Sequence, residues 1–202
     1  MPTPDLSPRN IHFHGLLHAL RQARMPALIA TVICLVPLTA MQLTYEVDWT
    51  GVDFVAAFAL LFCSGFVYNL LVHRINMTAY KLATALTLFT AVLLVFLNGA
   101  VGFVGSENNA INLIFPGVLM VLAVGVFVAA FAPSAMARAL LATGLAQAAA
   151  AAIVLLAGGH QLPGASVSEI LGLTAVFVVL WLAAGYFYRR TAIASLETTS
   201  RQ

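Results

Sequence analysis

Residues 53–74 read DFVAAFALLFCSGFVYNLLVHR. From Phe54 to Val72 there is no charged side chain, and the run is framed by Asp53 at one end and His73-Arg74 at the other. A helix rising 1.5 Å per residue over this stretch nearly matches the ~30 Å hydrocarbon core of a bilayer. Five further runs repeat the pattern: Met25–Leu43, Tyr80–Val104, Ile111–Phe131, Ala135–Ala157 and Ile170–Tyr188. Backbone groups in lipid must bond within their own segment, so each run is expected to be a helix. Short alternating strands, as a β-barrel needs, are not what these long uniform runs offer. The expected fold is therefore all-α, a six-transmembrane-helix bundle.

Composition agrees. Of 202 residues, 62% are hydrophobic and only 8% charged, whereas a soluble domain carries roughly a quarter charged residues. So few charges cannot cover a water-facing surface, and lipid is the expected partner; nothing suggests nucleic acid.

The charges also fix an expected orientation. Arg9, Arg21 and Arg24 precede the first run; His73, Arg74 and Lys81 lie between the second and third; Arg138 opens the fifth; Arg189, Arg190 and Arg201 follow the sixth. The intervening gaps hold Glu46, Asp48, Asp53, Glu107 and Glu169, without Lys or Arg. Such alternation places both termini in the cytoplasm. Tyr45, Trp49, Tyr68, Tyr80, Tyr186 and Tyr188 fall near run ends, as an interfacial aromatic belt would.

Three regions follow. Residues 1–24 form an N-terminal tail in which Phe13, Leu16, Leu17 and Leu20 recur at helical spacing, with His14, His18 and Arg21 on another face. This reads as a short amphipathic helix in the cytoplasmic interface. Residues 25–190 are the six-helix domain. Residues 191–202 read as a flexible cytoplasmic tail. The N-terminus does not resemble a cleaved signal peptide, so the first span is expected to be a retained anchor.

Polar residues within or beside the spans are few. The richest stretch is NGAVGFVGSENNAINL, residues 98–113. Gly99, Gly102 and Gly105 suggest a shallow strip for close helix packing. Asn98, on a span reaching Val104, would sit about 10 Å below its outer end and should bond across helices, because an unpaired buried amide costs about 1–3 kcal/mol. One residue of the Ser106–Asn109 turn should cap the fourth helix, with Glu107 near its positive end. The alternative is a small polar site on the outer face, built from Asn98, Glu107, Asn109 and Asn112, with Asp53.

This stretch resembles the signature of a group of small, uncharacterised bacterial membrane proteins, which often read Asn-x-Ala-Val-Gly-Ile-Ile-Gly-Ser-Glu-x-Asn-Pro-Ala-Asn-Leu. The span 53–74 and the run 136–143 are similar too, so the likeness covers roughly residues 47–190. Ala110 replaces the group's proline, and the histidine-containing N-terminal extension is longer. The resemblance implies several spans in a bacterial inner (cytoplasmic) membrane, and no activity.

Asn69 and Gln147 are single uncharged polar residues inside spans, with Gln42 nearer a span end; interhelical hydrogen bonding is the expected role. Gln147 lies in the small-residue stretch 146–152, suited to close packing. No Asp, Glu, Lys or Arg falls mid-span, which weighs against a proton-coupled pump. His14 and His18 read as a solvated face rather than metal ligands; His73 and His160 fall at opposite surfaces, unlike haem ligands. Cys34 and Cys63, in an antiparallel hairpin, would both sit near mid-membrane as reduced packing residues. No Ser-His-Asp set, phosphate loop or metal motif is present, so no cofactor or metal is implied. The favoured reading is a non-enzymatic membrane protein that packs with itself or with other membrane subunits. A small transporter or channel with a polar outer mouth near Asn98 and Glu107 comes second, and an enzyme acting on lipid or quinone last.

Overall fold

The structure, a computed structural model, describes residues 8–44, 48–73, 75–106 and 109–200, and describes side chains outside 8–21 and 198–199. Six helices are long and apolar enough to cross a membrane. They are α1 (Pro8–Leu43), α2 (Gly51–Val72), α3 (Thr78–Ala100), α4 (Ile114–Ala129), α5 (Pro133–Leu156) and α6 (Val167–Thr199). Single 3₁₀ turns occupy Ala110–Leu113 and Gly159–Gln161, and no strand occurs among the described residues. The protein is all-helical and multi-pass by this criterion.

The helices divide into two units, residues 1–73 and 74–202. The first is a hairpin of α1 and α2. The expected amphipathic helix and first span form one continuous backbone helix, α1; the side chains of Phe13, His14, Leu16, Leu17, His18, Leu20 and Arg21 lie outside the described residues. Among the described side chains of this hairpin only Pro26, Ala30 and Ala57 are buried, and the other apolar ones are half-buried or exposed. Phe58, Phe62 and Phe66 stack at 6.0 Å intervals, one turn apart.

A clasp holds the hairpin. Pro26 lies inside α1 and lacks the N–H that would bond the carbonyl of Gln22. Asn69 of α2 supplies the missing donor, its Nδ2 reaching Gln22 O at 3.0 Å. One turn earlier, Gly65 makes room for the proline: a Cβ there would stand 3.0 Å from Pro26 Cβ. The interhelical role expected for Asn69 is thus realised, on a backbone partner. The same register sets Cys34 level with Ala57, about 9 Å along the axis from Cys63. The two free thiols are therefore offset along the hairpin; Cys34 is half-buried and Cys63 exposed.

In the second unit α6 packs between α3 and α5, and α4 covers the other side of α5. Gly125 and Gly144 permit the close approaches: a Cβ at Gly125 would meet Ala139 Cβ at 2.8 Å, and one at Gly144 would meet Trp181 Cβ at 3.6 Å. A buried threonine line on α3 (Thr84, Thr87 and Thr90) bonds its own preceding turn. Tyr80 and Tyr188, expected in an interfacial belt, are instead core residues, 2% and 1% exposed. Their rings meet edge to face at 5.5 Å, and Tyr188 Oη shares a 3.0 Å hydrogen bond with Thr84 Oγ1. Inward placement satisfies the phenol without water.

That contact places the start of α3 beside the end of α6, so Lys81, Arg189 and Arg190 share one end of this unit. Arg138 joins them, since it lines one groove with Arg189. The opposite end carries the loops 101–113 and 157–166, which touch at Gly105 and Pro163.

Two boundaries differ from expectation. The third span stops at Ala100, because Gly102 takes φ 83° and donates its N–H to Leu97 O at 3.0 Å, closing the helix. The sixth does not stop near Tyr188: α6 continues to Thr199, so 191–199 are helix rather than flexible tail. Ala, Leu and Glu in that segment are strong helix formers, and Thr191 is buried with Oγ1 bonded to Phe187 O.

Candidate functional site

The end of the second unit opposite Lys81 and Arg138 is closed by backbone, not by helix. After α3 the chain turns at Gly102 and buries Phe103 and Val104, each 1% exposed. Phe103 stacks on Phe115 of α4, centroids 3.9 Å apart, and lies 5.7 Å from Phe177 of α6. Non-helical backbone in such a place needs partners for its N–H and C=O groups. Asn112 provides them. Its Oδ1 accepts the N–H of Val104 at 2.8 Å, and its Nδ2 donates to Ser106 O at 2.8 Å and to Val104 O at 3.4 Å. The amide side chain, 3% exposed, does what a neighbouring strand would do.

Asn109 caps the 3₁₀ turn that leads into α4, its Oδ1 accepting the Ile111 N–H at 3.3 Å, as expected of one residue of that turn. Gly105 takes φ 66°, and a Cβ there would lie 2.8 Å from Pro163 O. The close approach expected of Gly105 is made to a loop. Gly99 packs on nothing: a Cβ there would meet no atom within 4 Å. Gly102 lies outside the helix and serves its termination. Within this chain, then, the close helix approaches are made at Gly125 and Gly144, which only helix register reveals.

Asn98 sits in the last turn of α3, not 10 Å below the end. Its Oδ1 is buried and has no hydrogen-bond partner among the described residues, so the expected interhelical bond through this atom is not made. The structure brings Asn109 and Asn112 into one turn and gives Asn98 no hydrogen bond to either. Glu107 lies outside the described residues. Asp53 is used locally: Thr50 Oγ1 accepts the Asp53 N–H at 3.4 Å, and Asp53 Oδ2 accepts the Thr50 N–H at 2.7 Å, a reciprocal cap at the start of α2. Ser166 caps α6 in related fashion, accepting the Glu169 N–H at 3.2 Å. Both caps have the sequence form Ser/Thr-x-x-acid.

Deeper in the bundle Gln147 is fully buried among Thr143, Gly144, Ala150 and Ala151 of its own helix, as its small-residue setting implies. Neither its Oε1 nor its Nε2 has a hydrogen-bond partner among the described residues, and the same holds for Nε1 of the fully buried Trp181. The interhelical bond expected of Gln147 is absent. Among the described residues no group of three or more His, Cys, Asp or Glu side chains is placed to hold a metal. Set against protein-family models, curated proteins and solved structures, the chain matches none.

Proposed function

We propose that this is a non-enzymatic protein of the bacterial cytoplasmic membrane that works by helix association, with itself or with other membrane subunits. Its termini and the Lys81/Arg138/Arg189/Arg190 end face the cytoplasm. Kinship with the small bacterial membrane proteins that share the 98–113 signature is part of this reading. The observation that carries it is the use made of the candidate polar side chains. Asn112 and Asn109 bond backbone in the turn before α4, where Phe103 and Val104 are buried, and Asp53 bonds backbone at the start of α2. The α1–α2 hairpin supports it further, since many of its large apolar side chains, among them Leu28, Val32, Val36, Val52 and Val55, are exposed to lipid or to another helix.

Two measurements test it. Crosslinking in native membranes, followed by mass spectrometry of the purified adducts, should give homo-oligomers or a defined membrane partner; an exclusively monomeric chain counts against association. A reporter inserted between Gly158 and Pro163 should read outside and one at the C-terminus inside; the reverse sinks the orientation.

The second reading is a small carrier or channel, favoured by the fully buried amide of Gln147, which has no hydrogen-bond partner among the described residues. Solute flux into proteoliposomes that is abolished by Gln147→Leu would establish it over the first.

A further inference from the structure

Two grooves run along α5 at the basic end of the second unit. One, about 570 Å³, lies between the start of α5 and the end of α6, and is lined by Ser134, Arg138, Leu141, Leu182, Tyr186 and Arg189 among others. The other, about 650 Å³, lies between α4 and α5, and Arg138 lines it as well. No acidic side chain lines either groove. Arg138 thus stands on the ridge between two grooves that are otherwise mainly apolar. Arg190, by contrast, points over the Tyr186 ring, 5.8 Å from its centroid, and lines neither.

We propose that this ridge binds an anionic phospholipid, with the headgroup phosphate held by Arg138 and Arg189 and the acyl chains lying in the flanking grooves. Two guanidiniums can grip one phosphate through paired N–H donors. Ser134 and Tyr186 put hydroxyls at the same level. Leu141 and Leu182, on the membrane side of the arginines, offer a wall that an acyl chain fits and a soluble anion does not use. Basic pockets between spans on the cytoplasmic side are a recurrent form of lipid recognition. A free phosphate shares the headgroup chemistry but not the need for the grooves, so the committed ligand is the lipid.

The test is native mass spectrometry of the detergent-solubilised full chain, titrated with phosphatidylglycerol and, separately, with phosphatidylcholine. Phosphatidylglycerol should be retained preferentially. Each surface arginine accounts for roughly fivefold in anionic-lipid binding, so R138Q/R189Q should lose about 25-fold for phosphatidylglycerol and little for phosphatidylcholine. R190Q should change binding less than about twofold, and R138K/R189K should keep most of the preference. If the glutamine pair fails to fold, the lysine pair and the wild-type lipid preference decide. Equal retention of the two lipids, an R190Q loss as large as that of Arg189→Gln, or displacement of the lipid by equimolar inorganic phosphate would each overturn the proposal.

Discussion

The two units solve a similar problem with the same three residue types. In the hairpin Pro26 removes a helix donor, Gly65 admits the proline ring, and Asn69 bonds the carbonyl left behind. At the loop end of the second unit Pro163 presents a carbonyl, Gly105 makes room for it, and Asn112 bonds the backbone of Val104 and Ser106. In both places an asparagine amide takes the part of water for backbone groups that a regular helix would have paired. The difference is in load. Asn69 repairs one missing bond in a helix that otherwise bonds itself. Asn112 holds a turn that has no ladder of its own, through three contacts.

This difference predicts unequal costs. Asn112→Leu should have the largest effect, about 3 kcal/mol, because it removes the amide partner of both the Val104 N–H and the Val104 C=O, at about 1–3 kcal/mol per buried group, while Ser106 O keeps the Asn109 N–H. Reversible unfolding in mixed detergent–SDS micelles reads it directly. A loss no greater than that of Asn69→Leu would mean that the turn is held by Phe103 packing alone.

Gly105→Ala comes next. A non-glycine residue at positive φ costs on the order of 1–3 kcal/mol, and the new Cβ would press on Pro163 O at 2.8 Å. A loss of about 2 kcal/mol is expected. Gly99→Ala, at a site with open space, is the control and should be near neutral or stabilising, since alanine is the better helix former. Equal costs would show that the glycines act through chain flexibility and not through the contact.

What hydropathy conveys explains which parts of this were legible. Six spans follow from apolar runs long enough for a bilayer, and the basic end from where Lys and Arg fall. The Thr50-x-x-Asp53 and Ser166-x-x-Glu169 caps have a known spacing of residue types, although Asp53 was expected at a polar site instead. The end of α3 was not. Phe103 and Val104 are apolar because they are buried in a turn, and hydropathy does not separate that from a helix; Gly99, Gly102 and Gly105 then look like a packing strip. The end of α6 was misread for the opposite reason, since polar residues mark exit from lipid and not the end of helix. The roles of Asn112 and Asn69 were hidden because their partners are backbone atoms. Pro26 announces an orphaned carbonyl at Gln22, but finding its donor 47 residues away requires the hairpin register.

That register makes the Asn69 prediction specific. Asn69→Leu should cost about 1 kcal/mol, within the ~0.6 average and ~1.7 maximum seen for such bonds in membranes. Pro26→Ala restores an N–H that can bond Gln22 O within α1, so the asparagine should lose its task. In a double-mutant cycle Asn69→Leu should cost clearly less on the Pro26→Ala background than on the wild type. Additive losses would break the parallel with Asn112, because the amide would then serve something other than the proline's missing bond.

Asn98 should show the smallest effect, and it tests the comparison from the other side. It is the asparagine that the sequence singles out, set at the head of a glycine-rich signature. Yet its Oδ1 is buried without a partner among the described residues, one turn from a helix end that Gly102 already closes through Leu97. A side-chain oxygen that bonds nothing contributes no interhelical energy, and its burial is a cost that leucine removes. Leucine also favours a helix more than asparagine does. Against this stands whatever solvation the amide nitrogen retains near the outer surface. The terms are of similar size and opposite sign, so Asn98→Leu should change stability by no more than about 0.5 kcal/mol, less than Asn69→Leu, in the same micelle unfolding measurement. A loss above that of Asn69→Leu would show that the Asn98 amide has a partner in the folded protein. The outer end of α3 would then be tied across helices, and the asparagine signature would have a structural role beyond Asn112.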